Sequence, residues 1–259
     1  MIKNSPISEY YNTHCFDEDT RLSNQSVEYL MTKTLISRIV KDNDKILDLG
    51  GGTGVYALSL CCDGHTVTLV DLSKKELELA KQKAKESGCT INIVEGDAVA
   101  YNDGNLYDVI LCLGPLYHCP SINEVKQIIE NVLNSLPSGG YALFSFISKY
   151  AKFNRFIHDI DLYEKHHVSK INEMLMFRCR DESTFIFESR GNLPVSFIDP
   201  LKIQDFLRKF NLDVIDILAI DLCKSVKEFN SEIFDLLYAL GRGFMINNGE
   251  HIISIIKKR

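Results

Sequence analysis

No stretch of this 259-residue chain is apolar for anything near the roughly 20 residues that a membrane-spanning helix requires. Its first residues, Met1-Ile2-Lys3-Asn4-Ser5-Pro6, lack the apolar segment of a secretory signal. The eight cysteines (Cys15, Cys61, Cys62, Cys89, Cys112, Cys119, Cys179 and Cys223) never form a Cys-x-x-Cys pair and keep no regular spacing. That pattern argues against both a disulfide framework and a zinc motif. Cys112 lies in an apolar run and is expected to be buried as a small hydrophobe. Basic charge is short as well: 29 Lys and Arg stand against 35 Asp and Glu, for a net charge of −6. The single basic cluster is Lys257-Lys258-Arg259, so a nucleic-acid partner is disfavoured. Repeats and low-complexity tracts are also missing. With 45% hydrophobic and 25% charged residues, the composition is that of an ordinary globular protein. These absences lead us to expect a cytoplasmic protein with no membrane partner, and they leave its oligomeric state open.

Short apolar runs alternate with amphipathic helical patterns through the first 147 residues. Val27, Leu30, Met31, Thr34, Leu35 and Ile39 fall at helical spacing, and Lys45-Ile46-Leu47-Asp48-Leu49 then runs into glycines. Helical residues continue to Cys62, Asp63-Gly64 signals a turn, and a β-branched strand spans His65 to Val70 and ends at Asp71. Ser73 and Glu76 form a capping box, and Gly88 is placed to close that helix. Strands are predicted near Ile91–Val94 and Val109–Leu113. Ser121 and Glu124 make a second capping box ahead of the stripe Val125, Ile128, Ile129, Val132, Leu133, Leu136, which Pro137 ends. Tyr141 to Ile147 supplies a fifth strand. Strands that alternate with helices and are apolar on both faces predict βαβ units, a parallel sheet and a doubly wound α/β fold. A ligand should then sit beyond the strand C-termini, where the strand order reverses.

After Ile147 the pattern changes. Residues 150–175 are rich in charged and aromatic side chains, and a hairpin is predicted from Phe177 to Phe187 around Asp181-Glu182-Ser183. A helix near Pro200–Phe210 and strands at Asp213–Ile220 and His251–Ile256 resume the alternation. Residues 150–198 therefore read as an insertion over the mouth of the sheet. His158, His166 and His167 lie in it, but adjacent histidines on a helix point about 100° apart and do not converge on a metal. No metal site is expected.

The glycine-rich turn after the first strand lets backbone approach a ligand and presents helix N-terminal N–H groups. Nicotinamide and flavin proteins use the same device. Asp48 shifts the balance, because a carboxylate at that strand end suits a sulfonium and ammonium better than a pyrophosphate. Asp71, at the end of the next strand, is placed to accept ribose hydroxyls, and Asp97 in Gly96-Asp97-Ala98 to meet an adenine amino group.

Ile46-Leu47-Asp48-Leu49-Gly50-Gly51-Gly52-Thr53-Gly54 resembles the first motif of the class I S-adenosylmethionine (SAM)-dependent methyltransferases. Val70-Asp71-Leu72-Ser73, Glu95-Gly96-Asp97-Ala98 and Tyr107-Asp108-Val109-Ile110 resemble the motifs that follow, in order, so that the resemblance covers about residues 25–147. It implies a Rossmann-like, doubly wound α/β fold, with a seven-stranded, mostly parallel sheet whose last strand is antiparallel. It also implies SAM as cofactor and S-adenosylhomocysteine as product. On the same ground Gly50, Gly51, Gly52 and Gly54 would shape the loop around the methionine part, and Asp48 would lie near its ammonium group. Asp71 would take the ribose, Leu72 would lie along the adenine, Asp97 and Ala98 would face its edge, and Leu113 would complete the cofactor wall.

Leu113-Gly114-Pro115-Leu116-Tyr117-His118, after the fourth strand, resembles a Gly-Pro-Leu-Tyr-His segment of bacterial methyltransferases assigned to small molecules. It departs from the Asn-Pro-Pro-Tyr tetrad used for amide and nucleobase nitrogens, since neither Asn nor Asp precedes Pro115. Methyl transfer from a sulfonium is an in-line displacement, in which the protein aligns the acceptor, excludes water and removes a proton. His118 is the candidate base and Tyr117 its companion. Tyr11 and Arg21, in an N-terminal segment not needed for the sheet, are candidates for the cofactor carboxylate. The expected organisation is a lid over 1–24, a SAM-binding core over 25–149, a small α+β substrate cap over 150–198 and completion of the sheet over 199–259. The expected function is transfer of a methyl group to oxygen or nitrogen of a small organic molecule. An RNA or protein methyltransferase and a non-catalytic SAM-binding module are the alternatives.

Overall fold

The computed structural model describes residues 5–21, 26–151, 181–223, 228–242 and 249–259, with side chains 15–21 excepted. The predicted alternation is present. Helices α1 (Pro6–Arg21) and α2 (Val27–Ser37) precede β1 (Lys45–Leu49), α3 (Val55–Cys62), β2 (Thr66–Asp71), α4 (Lys74–Ser87), β3 (Asn92–Glu95) and β4 (Val109–Cys112). A 3-10 turn (Pro115–His118), α5 (Ile122–Asn134) and β5 (Tyr141–Ile147) follow. The described remainder holds the hairpin strands β6 (Phe185–Arg190) and β7 (Leu193–Ile198), α6 (Ile203–Leu207), β8 (Leu212–Ala219), α7 (Ser231–Arg242) and β9 (His251–Lys258).

Both capping boxes act as read: Ser73 Oγ accepts from Glu76 N, Ser121 Oγ accepts from Glu124 N, and Gly88 closes α4 in the left-handed conformation. The main sheet has the order β3-β2-β1-β4-β5-β9-β8. Neighbours from β3 to β5 pair in parallel, and β9 runs antiparallel to both β5 and β8. The order reverses between β1 and β4, so the chain opens a crevice at the C-terminal ends of those strands.

Each face of the sheet carries its own apolar layer. On one face Val125, Ile128, Ile129 and Val132 of α5 and Phe206 of α6 pack over Ile110, Ala142 and Phe144. On the other, α2, α3, α4 and α7 bring Met31, Leu60, Leu77 and Phe234 onto Ile46, Leu69, Leu111 and Leu143. Strands covered on both sides explain why β4 and β5 read as continuous apolar runs rather than alternating ones. Cys112 is fully buried among them.

The structure departs from the sequence reading in three places. A hairpin that was not expected lies further on: β6 and β7 pair across a two-residue turn at Gly191-Asn192, with Gly191 at φ 63°. Asp181 instead caps a local turn by accepting from Ser183 N at 2.7 Å, and residues 177–180 lie outside the described set. Helix α7 was not anticipated: Phe234 and Leu237 are buried at helical spacing, but Leu236 and Leu240 put apolar side chains on the exposed face as well. The third departure concerns the scattered cysteines: Cys62 Sγ and Cys89 Sγ meet at 2.8 Å beside Cys61, a contact their spacing does not reveal.

The hairpin is fastened to the main sheet. Lys149 N donates to Ile198 O at 2.8 Å, and Lys149 Nζ pairs with Asp199 at 2.8 Å in a site where both side chains are buried. Burial pulls the ammonium pKa down, but the Asp199 carboxylate outweighs it and holds the group above its ordinary range.

Candidate active site

A cavity of about 540 Å³ opens at the reversal of strand order, lined by Asp48, Gly50, Gly51, Gly52, Asp71, Leu72, Asp97, Ala98 and Leu113 together with Tyr11, Tyr117 and His118. Twelve residues singled out from the sequence thus meet in one place. Gly54 is not among the lining residues. It stands under the loop as the N-cap of α3, with φ 77°. The side chain of Arg21 falls outside the described residues, as do His158, His166 and His167.

The loop is glycine-rich for reasons of space as well as conformation. A Cβ on Gly50, at φ 74°, would come within 2.4 Å of Pro115 Cγ. The first loop and the loop after β4 therefore touch, and that contact seats Gly114-Pro115 against the first glycine. A Cβ on Gly52, at φ 56°, would come 2.8 Å from Glu76 Oε2. Glu76 appeared in the sequence only as part of a capping box, yet it lines the cavity and is buried.

Asp48 is 1% exposed, and its Oδ2 has no hydrogen-bond partner. Burial raises its pKa to about 7, the charge of Asp71 adds to the rise, and a backbone hydrogen bond from Ala57 opposes it. Asp71 is held from two sides: Oδ2 accepts from Gly52 N at 2.9 Å and Oδ1 from Ser73 N at 2.8 Å. Burial lifts its pKa as well, against those hydrogen bonds. Asp97 Oδ1 accepts from Val99 N at 3.0 Å, so this residue both shapes its turn and faces the cavity.

Across the cavity, His118 joins three parts of the chain. Its Nδ1 is 3.1 Å from Pro194 O and its Nε2 is 2.6 Å from Tyr11 Oη. A carbonyl only accepts, so Nδ1 carries the hydrogen. In the neutral ring Nε2 then accepts from the Tyr11 hydroxyl, a tautomer assigned from this network. The Tyr117 ring lies edge-on to His118 at 4.8 Å. Next to Tyr11, Asn12 Oδ1 accepts from Ser73 Oγ at 2.9 Å and from Lys75 N at 3.1 Å. Adjacent residues of α1 thereby clasp opposite rims: Tyr11 the loop after β4, Asn12 the N-terminus of α4. The sequence places Tyr11 near the cofactor but gives no reason to pair it with His118, and it assigns no role to Asn12 or Pro194.

The thiols near the cavity are disfavoured as thiolates. Burial, reinforced by the charges of Glu124 and Asp97, pushes Cys119 up to about 12, and burial holds Cys112 well above the usual thiol range. Among the described residues, no group of three or more His, Cys, Asp or Glu is positioned to hold a metal ion. Nor is any described helix long and apolar enough to cross a membrane.

Comparison with known proteins bears on the same segment. Residues 46–140 match a family model described as a methyltransferase domain. The chain is 33% identical over 128 residues to a ubiquinone biosynthesis O-methyltransferase of Rickettsia canadensis, covering 49% of this chain and 52% of that protein. It is 36% identical over 110 residues to the protein of that name in Pectobacterium atrosepticum, covering 42% of this chain and 44% of that protein. The chain thus spans about half the length of these relatives.

Among solved structures, a Burkholderia thailandensis 1,6-didemethyltoxoflavin-N1-methyltransferase with bound 1,6-didemethyltoxoflavin and S-adenosylhomocysteine superposes with a TM-score of 0.64 at 12% identity, over 97% of this chain and 87% of that one. A magnesium protoporphyrin IX methyltransferase of Synechocystis with bound S-adenosylhomocysteine does so with a TM-score of 0.61 at 15% identity, over 98% of both chains. These likenesses at low identity establish the fold: an α/β sheet of seven strands, mostly parallel, in the Rossmann-like methyltransferase arrangement. The match over residues 46–140 and the sheet order together give this segment a methyltransferase domain of Rossmann-like fold.

Proposed function

We propose that this protein is an enzyme that transfers a methyl group from SAM to an oxygen or nitrogen of a small organic molecule. The observation that carries the reading is the row of carboxylates Asp48, Asp71 and Asp97 at the ends of β1, β2 and β3, around one cavity next to a glycine loop. The residues fit such a ligand. The unpaired Oδ2 of Asp48 is a place for the cofactor ammonium, and the missing Cβ atoms of Gly50 and Gly52 let the loop close against Pro115 and Glu76. Asp71 would exchange part of its backbone hydrogen bonding for the ribose hydroxyls. Leu72 and Leu113 would flank the cofactor, Asp97 and Ala98 would border the adenine, and Gly51 and Gly54 would keep the loop tight. Arg21 is proposed for the cofactor carboxylate, whereas the Tyr11 hydroxyl is engaged with His118.

When bound, SAM supplies an electrophilic methyl group, and the remaining work falls to positioning and proton removal. Tyr11 Oη is the group through which an acceptor proton reaches His118. The acceptor gives its proton to Tyr11 Oη as the tyrosine proton passes to Nε2, while Pro194 O keeps Nδ1–H in place. Tyr117 buttresses the imidazole from its edge. The ubiquinone and toxoflavin enzymes act on small molecules according to their names, and that supports a small-molecule acceptor here. We further propose residues 1–24 as a lid, 25–149 as the cofactor core, 150–198 as the substrate cap and 199–259 as the completion of the sheet, in a cytoplasmic enzyme. Calorimetric titration with SAM, S-adenosylhomocysteine and NAD tests the reading. Both sulfur ligands should bind and NAD should not; failure of both sulfur ligands overturns it.

A further inference from the structure

Away from the cavity, three thiols gather where α3 and α4 end. Cys61 and Cys62 close α3. Gly88, left-handed at φ 69°, ends α4 and turns the chain back, with Cys89 N donating to Ala84 O at 2.9 Å. The returning segment lies against the last turn of α3: Cys61 Sγ donates to Thr90 O at 3.5 Å, and Cys89 Sγ donates to Leu58 O at 3.8 Å. Cys61 thus spends its thiol hydrogen on a backbone carbonyl. Cys62 Sγ instead comes within 2.8 Å of Cys89 Sγ, roughly 0.8 Å more than the disulfide bond length of about 2.05 Å. Cys62 is exposed and Cys89 half-buried, so a small reagent can reach the pair.

The two thiols are not equivalent. Hydrogen bonds from Cys62 and then Ser87 hold Cys89 below the ordinary thiol range, and the same contact raises Cys62. Cys112 and Cys119, by contrast, are buried and held neutral. The thiolate is the nucleophile in exchange with a disulfide, so Cys89 is the member that attacks and Cys62 the one that resolves.

We propose that Cys62 and Cys89 form a thiol–disulfide exchange site, oxidised reversibly to a disulfide by small-molecule disulfides such as oxidised glutathione. The Cys89 thiolate attacks one sulfur of that disulfide; a Cys89–glutathione bond forms and the first glutathione leaves as its thiolate. Cys62 Sγ then attacks Cys89 Sγ, and the second glutathione leaves. The two protons given up by the cysteines end on the two glutathione thiols, so the protein pair loses two electrons and the reagent gains them. The new bond joins residues 27 apart and ties the end of α3 to the end of α4.

Reduced full-length protein is equilibrated with oxidised and reduced glutathione over a range of ratios, quenched by alkylation, digested and mapped by mass spectrometry. One crosslink, Cys62 to Cys89, should form and should disappear on adding dithiothreitol, while Cys112 and Cys119 stay reduced. Because the sulfurs already meet, the crosslinked protein should melt about 5 °C higher than the reduced one. Cys61→Ser should crosslink as the wild type does. In that background Cys62→Ser should trap glutathione on Cys89, and Cys89→Ser should leave Cys62 free; the reverse pattern overturns the order of attack. Three results on the wild type overturn the proposal itself: no crosslink in excess oxidised glutathione, a link from Cys89 to Cys61 in its place, or a crosslinked form that melts no higher than the reduced one. No methyl donor enters the experiment, so its outcome is independent of the methyltransferase reading.

Discussion

On one side of the cavity, Asp48, Asp71 and Asp97 leave the ends of three neighbouring strands; on the other, Tyr11, Glu28, Ser145 and Pro194 arrive from two helices, a strand and a hairpin spread over the chain. The first set falls entirely within residues 46–140, the stretch that matches the methyltransferase domain model, and the second set falls entirely outside it. On the side proposed for the cofactor, backbone N–H groups of two adjoining loops hold the carboxylate, as Gly52 N and Ser73 N hold Asp71. The side proposed for the acceptor is held by contacts between residues remote in sequence, such as Tyr11 with His118 and His118 with Pro194. A fixed donor needs a fixed cradle. On the proposed reading, acceptor choice would depend on elements that can change without disturbing that cradle.

This contrast predicts that catalysis and cofactor binding can be separated by mutation. The largest effect is expected from His118→Gln or Tyr11→Phe, which should lower kcat by about 10²- to 10⁴-fold, the usual worth of a positioned base. Affinity for S-adenosylhomocysteine, measured by calorimetry, should be nearly unchanged. A large loss of that affinity in either variant would mean that the two sides are not independent. Asp71→Ala should do the reverse: affinity for the cofactor product falls by about 100-fold, the loss of two hydrogen bonds to a charged group. Acceptor binding to whatever cofactor complex remains should persist. Retained affinity would remove Asp71 from the ribose site.

The remaining effect is a pH dependence. Asp48 moves from an ordinary 3.8 to about 7 in the folded protein. Between those values the folded state holds a proton that the unfolded state has lost, so the stability of the ligand-free protein falls as pH rises from about 4 to about 7 and levels off above. Pairing with an ammonium requires the charged carboxylate, so SAM binding should tighten as pH rises towards 7, by at most about tenfold per pH unit, and then plateau. Asp48→Asn should flatten both profiles. A SAM affinity that does not change with pH in the wild type would separate Asp48 from the ammonium.

Much of the fold was legible because its signals are local. The capping boxes at Ser73 and Ser121, Gly88 and the stripe along α5 each act within a few residues, and the structure uses them as read. The hairpin at Gly191 was not legible, because Asp181-Glu182-Ser183 also forms a turn and only strand pairing shows where β6 and β7 reverse. Helix α7 escaped because its burial is set by what it packs on, and Leu236 and Leu240 blur its apolar side. Glu76 was read as a cap and proved to be cavity wall as well, since one side chain can serve a helix end and face a loop from another strand.

The sequence by itself determined the alternation of strands and helices, the glycine loop and the three aspartates at strand ends, because each depends on residue period or on a neighbour a few positions away. Tertiary structure alone decided that Tyr11 meets His118, that Pro194 orients the imidazole, and that Cys62 meets Cys89. Those facts follow from which distant segments pack together. Packing is settled by burying apolar layers on both faces of the sheet, not by any pattern readable along one segment.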